Sequence, residues 1–248
     1  MSLDMMQITD LSNVIDNISL KFVNFEKNKD YLEDMPYTIF EDLAVVYYIG
    51  LNIDIDNDTQ TEYPISKEML AGYDISVEEL HEIALSNLLR QPVVFEDSQD
   101  MLMKLLDIKD SADPRVVVSP NEPRKYILSN ATMFNGAAVI LDNETMIAIS
   151  EKMNGDFVII PSSRHEVFIT AMPDEPLELT LKAFKLTLIE TNMYETSSGD
   201  VISDTIYCFD AKNKRILSAD KYIQEFKNQD RLESNKNIKQ HLMNHHRR

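Results

Sequence analysis

Between Phe134 and Met172 the chain places short apolar runs between turn-forming residues, and this spacing limits the possible folds more than any other feature. Gly136 to Leu141 (GAAVIL) is too short for a buried helix and is bounded by turn formers, so it reads as a buried strand. Asn143 then stands as an N-cap before Glu144, and Met146, Ile147, Ile149, Ser150 and Met153 follow at helical spacing. Asn154-Gly155 closes that helix, because both residues tolerate the left-handed backbone of a helix end. Phe157 to Ile160 (FVII) reads as a second buried strand, and Val167 to Ile169 opens a third. A strand, a helix and a strand in succession suggest a crossover unit, with a turn at Pro161-Ser162-Ser163-Arg164 before the third strand.

The rest of the chain supplies further elements of both kinds. Leu43 to Ile53 is the clearest strand outside the central stretch, rich in Val, Ile and Tyr. Phe22 to Phe25, Val93 to Phe95, Tyr126 to Leu128, and the pair Val201 to Phe209 with Arg215 to Ser218 read as additional strands. Ser76-Val77-Glu78-Glu79 is a capping box that starts a helix through Leu80, Ile83, Ala84 and Leu88. His81 falls off its apolar face and reads as a solvated residue. Ser98 caps another helix, whose methionines read as core filler, and Leu177, Leu181, Phe184 and Leu188 mark a long helix over about 175–192. The expected fold is therefore a single α+β domain over residues 1–224, a mixed sheet covered by about four helices. The polar, basic residues 225–248 are expected to form a flexible tail.

Charge is the strongest compositional signal. The net charge is -18, and residues 1–110 hold 23 acids against 7 bases. A body this acidic repels nucleic acid and membrane surfaces and favours basic partners. No run is long enough to span a membrane, the N-terminus lacks the pattern of a secretory signal, and a single cysteine, Cys208, excludes an internal disulfide. A cytoplasmic protein is expected. Asp54, Asp56 and Asp58 alternate like calcium ligands, yet Thr59 stands where the loop needs Gly and Ile65 where it needs a bidentate Glu. Neither a metal nor a cofactor is expected.

One cluster has the residue types of nucleophilic catalysis: Ser162, Ser163, Arg164, His165 and Glu166. In extended chain Ser163 and His165 project to one face, and Ser162, Arg164 and Glu166 to the other. That layout does not bring an acid behind the His165 ring, and no Gly-x-Ser-x-Gly elbow surrounds either serine. His165 therefore reads as a structural residue bonded to its turn or to nearby backbone.

Four segments together resemble an uncharacterised bacterial family of unknown function, common in Firmicutes and their mobile elements. They are FVNFEKNKDYLEDMPYTIFEDLAVVYYI (22–49), VEELHEIALSN (77–87), YILSNATMFNGAAVILDNETMIAISEKMNGDFVIIPSSRHEVFI (126–169) and VISDTIYCFD (201–210). The resemblance implies a compact bacterial intracellular protein, with Pro161, Ser162, Ser163, His165 and Glu166 as signature positions.

The residues and the resemblance together give two expectations for function. One is a non-enzymatic protein that docks on a basic protein partner through Asp54, Asp56, Asp58, Glu62, Glu78 and Glu82. With the mobile-element setting, such a protein would act as an inhibitor or nucleic-acid mimic, its target a nucleic-acid-binding protein. Direct contact with nucleic acid or membrane is not expected. The alternative is a hydrolase built on Ser163, or Ser162, with His165 and Glu166.

Overall fold

Leu43 to Ile49 is buried at every position, which explains why this strand reads as a continuous apolar run and not as an alternating one. In the computed structural model, which describes residues 8–54, 59–105, 123–174, 176–194, 196–197 and 199–228, it belongs to β3 (Leu43–Asp54). β3 pairs antiparallel with β1 (Ile18–Asn24) along one edge. Its other edge is shared by β2 (Tyr37–Phe40) and β4 (Thr59–Pro64). Val45, Tyr47 and Ile49 of β3 face the main core, while Ala44 and Val46 pack with Leu32 on the opposite side.

The second sheet has the order β10-β9-β7-β8-β6-β5 and is antiparallel throughout. Its strands are β5 (Val93–Asp97), β6 (Lys125–Asn130), β7 (Phe157–Pro161), β8 (Val167–Ala171), β9 (Tyr207–Asp210) and β10 (Arg215–Ser218). The period-two alternation of strand side chains divides its two faces. Phe157, Ile159, Val167, Ile169 and Phe209 enter the core shared with the first sheet, and Val158 and Cys208 point the other way. α7 (Leu177–Tyr194) covers that outer face with Leu177, Leu181 and Leu188. After the short helices α1 (Leu11–Val14), α2 (Lys29–Leu32) and α3 (Lys67–Tyr73), α4 (Val77–Leu89) adds Leu80, Ala84 and Leu88 to the shared core, and α6 (Asn143–Met153) adds Met146 and Ile149. One core between two sheets makes this a single α+β domain.

Three expectations need correction. The mixed sheet is two antiparallel sheets, so the central stretch is not a crossover unit. Gly136–Leu141 is a 3-10 helix wedged between the sheets, with residues 136–140 all buried. Its small residues allow that approach: a Cβ on Gly136 would sit 2.0 Å from Ser129 Oγ and 2.7 Å from the His165 carbonyl oxygen. Val139 is buried, as a core residue should be, but in a helix. Finally, residues 219–228 are helical, so part of the expected tail is ordered chain, while 229–248 lie outside the described residues.

Helix ends follow local chemistry. The Ser76–Glu79 capping box is present in both directions. The cap of α6 is Asp142, one residue before the expected Asn143, because its carboxylate accepts from the Thr145 amide. Asn154 closes α6 at φ 59°, and the Gly155 amide donates to the Ser150 carbonyl. At α5 (Ser98–Leu105) Asp97, and not Ser98, accepts from the Gln99 amide.

Candidate functional site

The turn between β7 and β8 is held from all sides. The Ser163 amide donates to the Glu166 carbonyl, and Ser163 Oγ accepts from the His165 amide at 2.9 Å. The Arg164 amide donates to the Asp200 carbonyl and the Arg164 carbonyl accepts from Ala137, while Ser129 Oγ donates to the His165 carbonyl at 2.7 Å. Strand β6, the 3-10 helix and the turn at Asp200 thus clamp five residues whose own sequence is short and polar.

The His165 ring is built into this clamp. Its Nδ1 accepts from the Asn135 amide at 3.3 Å, which places the proton of the neutral ring on Nε2. Nε2 lies 3.4 Å from Asp200 Oδ1 and 3.3 Å from Arg164 Nε. A neutral imidazole with its acceptor already used cannot also accept from arginine, so the Arg164 proton goes to Asp200 Oδ1 at 2.8 Å. The ring and the guanidinium both lie against Phe134, with the ring centroids 5.4 Å apart and the guanidinium carbon 5.5 Å from the Phe134 centroid.

From Asn135 the network crosses to the first sheet. Asn135 is 1% exposed and adopts φ 52°, a conformation that asparagine tolerates well. Its amide nitrogen donates to Tyr48 Oη at 2.9 Å and to Glu62 Oε1. The other Glu62 oxygen pairs with Lys21 Nζ, which also lies over the Tyr48 ring. Burial pushes the Tyr48 phenol up to about 12, so it stays protonated across the physiological range. Lys21 with Glu62 and Arg164 with Asp200 form a charge-balanced chain through the molecule. Asn135 Oδ1 has no hydrogen-bond partner among the described residues.

A second polar junction sits at the β2–β3 turn. Asp42 accepts from Ser203 Oγ at 2.7 Å, Thr205 Oγ1 at 3.1 Å and the Tyr207 hydroxyl. Glu41 accepts from Lys221 Nζ at 3.0 Å. Burial, reinforced by the adjacent Asp42 carboxylate, raises the Tyr207 phenol well above its ordinary range. This junction ties the first sheet to the strand β9 of the second.

The expected site residues are thus dispersed. Ser163 faces the turn interior, whereas Ser162 borders a groove on the outer face of the second sheet. The acid behind the His165 ring is Asp200, not Glu166, whose carbonyl is the group engaged in the turn. Glu62 is an internal ion-pair partner. Asp56 and Asp58 lie outside the described residues, and Asp54 ends β3. Glu78 and Glu82 are exposed on α4. His81 is half-buried, contrary to expectation. Its Nδ1 lies 3.0 Å from Tyr47 Oη, and burial holds its proton affinity below the ordinary value. Asn135, Asp200 and Asp42 had no local sign in the sequence, since each meets its partners only through tertiary contacts.

A model described as a family of unknown function (DUF5688) matches residues 1–211. The chain belongs to that family. The DUF5688 match takes in strands β1–β9, both polar junctions except Lys221, and the whole His165 turn. No curated protein and no solved structure matches. Among the described residues no helix is long and apolar enough to cross a membrane, and no three His, Cys, Asp or Glu side chains are grouped to hold a metal.

Proposed function

We propose that this DUF5688 member is a non-enzymatic docking protein whose acidic face engages a basic surface on another protein in a bacterial cytoplasm. The observation that carries this reading is the exposed carboxylate set on α3 (Lys67–Tyr73) and α4: Glu68, Asp74, Glu78, Glu79 and Glu82. Among the described residues none of the five takes part in a salt bridge, and Lys67 is the only Lys or Arg between Ser66 and Leu89. Asp30, Glu33 and Asp34 are exposed as well, and the Lys67 amide bonds the Asp34 carbonyl, which joins this stretch to the start of α3. Elsewhere acids such as Glu41, Glu62 and Asp200 are satisfied by cations of the same chain.

A set of carboxylates with no cation partner among the described residues attracts cations over about 8–10 Å at physiological ionic strength, so its natural counterpart is a basic patch. A nucleic-acid-binding protein offers such a patch, and the carboxylates would take the place of phosphates on it. Mobile-element biology fits an inhibitor of that kind. The proposed docking residues are accordingly Glu78 and Glu82 together with Glu68, Asp74 and Glu79, and not Glu62.

Retention of host proteins on the immobilised chain tests this reading. A basic partner should be held at low salt and released at high salt. The hydrolase reading, with Ser163, His165 and Glu166, predicts instead an ester, peptide or phosphoester activity that disappears in His165→Ala. The engagement of Nδ1 by the Asn135 amide and of Ser163 Oγ by the His165 amide supports the docking reading over it.

A further inference from the structure

A groove of about 480 Å³ runs along the outer face of the second sheet between α5 and α7. Its floor is Ile127, Ile160 and Phe168, the outward residues of β6, β7 and β8, and its walls are Leu102 and Leu105 of α5 and Phe184 of α7. α5 buries no residue, so its methionines do not fill the core as expected, and Leu102 and Leu105, 48% and 78% exposed, line this opening. The volume lies within the roughly 300–1,000 Å³ of small-molecule pockets, and the lining is mainly apolar, as such pockets require.

The polar groups in the groove are fewer and more specific. Lys125 lines it and forms no salt bridge among the described residues. The nearby Asp97 carboxylate already caps α5 and lies 3.9 Å from Arg124. Ser98 and Ser162 line the same groove and bring hydroxyl-bearing side chains to it. An ammonium with hydroxyls beside an apolar trough selects an anionic head on an apolar tail. The net charge of -18 disfavours an anionic membrane as the source. We infer that the α5–α7 groove is a binding site for a soluble acyl carboxylate, with its chain on Ile127, Ile160 and Phe168 and its head at Lys125. This site is independent of the acidic docking face, and Ser162 would serve in it as a ligand contact.

Displacement of Nile red from the full-length chain by dodecanoate, and separately by 1-dodecanol, tests the site. Dodecanoate should displace the dye saturably and bind roughly tenfold more tightly than the alcohol, the difference being the interaction of its head with Lys125. Lys125→Glu should remove that preference and leave dodecanol binding within about twofold, with Lys125→Met as the milder check should the reversal perturb folding. Thr187→Trp, at an exposed position on α7 that lines the groove, should block both ligands without lowering the melting temperature. Absence of saturable displacement by dodecanoate would overturn the assignment. So would a carboxylate preference that survives in both Lys125 variants, or capture of the chain by phosphatidylglycerol vesicles in place of dodecanoate binding.

Discussion

Gly136 shows how one atom sets the join between the sheets. A methyl group there meets Ser129 Oγ, the Asn130 amide and the His165 carbonyl, two of which are backbone groups that cannot swing away. Gly136→Ala should therefore destabilise the chain by about 1–3 kcal/mol or more, read as a lower urea midpoint with an unchanged slope. An unchanged midpoint would mean that the 3-10 helix does not lie against β6 as described. His81 gives a pH signature. Burial depresses its proton affinity in the folded chain, so the unfolded chain takes up the proton first as pH falls below the ordinary value of 6.5. Its contribution to stability is complete above 6.5 and is lost as pH falls through the lower folded value. His81→Asn should lose less stability than wild type between about pH 7 and pH 5.5 in thermal melts. Equal slopes would show that the ring is solvated. The sequence places His81 off the apolar face as a solvated residue, because nothing local shows that Tyr47 reaches it from β3.

At the scale of elements, legibility depended on whether the deciding contacts were local. The capping box at Ser76, the Asn154-Gly155 stop and the long helix α7 lie within a few residues of sequence, and each appears close to where its pattern puts it. The GAAVIL run reads as a strand yet forms a 3-10 helix, because an apolar hexapeptide states burial and not conformation. The space between two sheets decided the rest. The sheet division was illegible for a related reason: β7 pairs with β9, Val158 facing Cys208, across a separation that no turn signal reports. The catalytic types at 162–166 were equally legible, but their orientation was set by Asn135 and Asp200 from elsewhere. The β2–β3 turn offers an element-scale test. Asp42→Ala leaves the Ser203, Thr205 and Tyr207 hydroxyls without their acceptor, and should cost about 2–4 kcal/mol in urea denaturation. A cost near zero would show that the junction does not bind the two sheets together.

For the whole molecule, the charges at the two polar junctions differ from those on the acidic surface of α3–α4 in how they are partnered. At the first junction Lys21 with Glu62 and Arg164 with Asp200 cancel in pairs, so that junction adds nothing to the net charge. The exposed carboxylates of α3–α4 form no salt bridge among the described residues. Exposed carboxylates contribute little to stability, so neutralising them should leave the melting temperature within a few degrees while changing association. Affinity for the retained basic partner is therefore the decisive quantity, measured from about 0.05 to 0.5 M salt for wild type and for Glu68→Gln/Glu78→Gln/Glu82→Gln. Wild-type affinity should fall steeply with salt, and the triple variant should bind at least tenfold more weakly at the lowest salt, with a shallower slope. Equal affinity and equal salt dependence in the two proteins would contradict an acidic docking face on α3–α4.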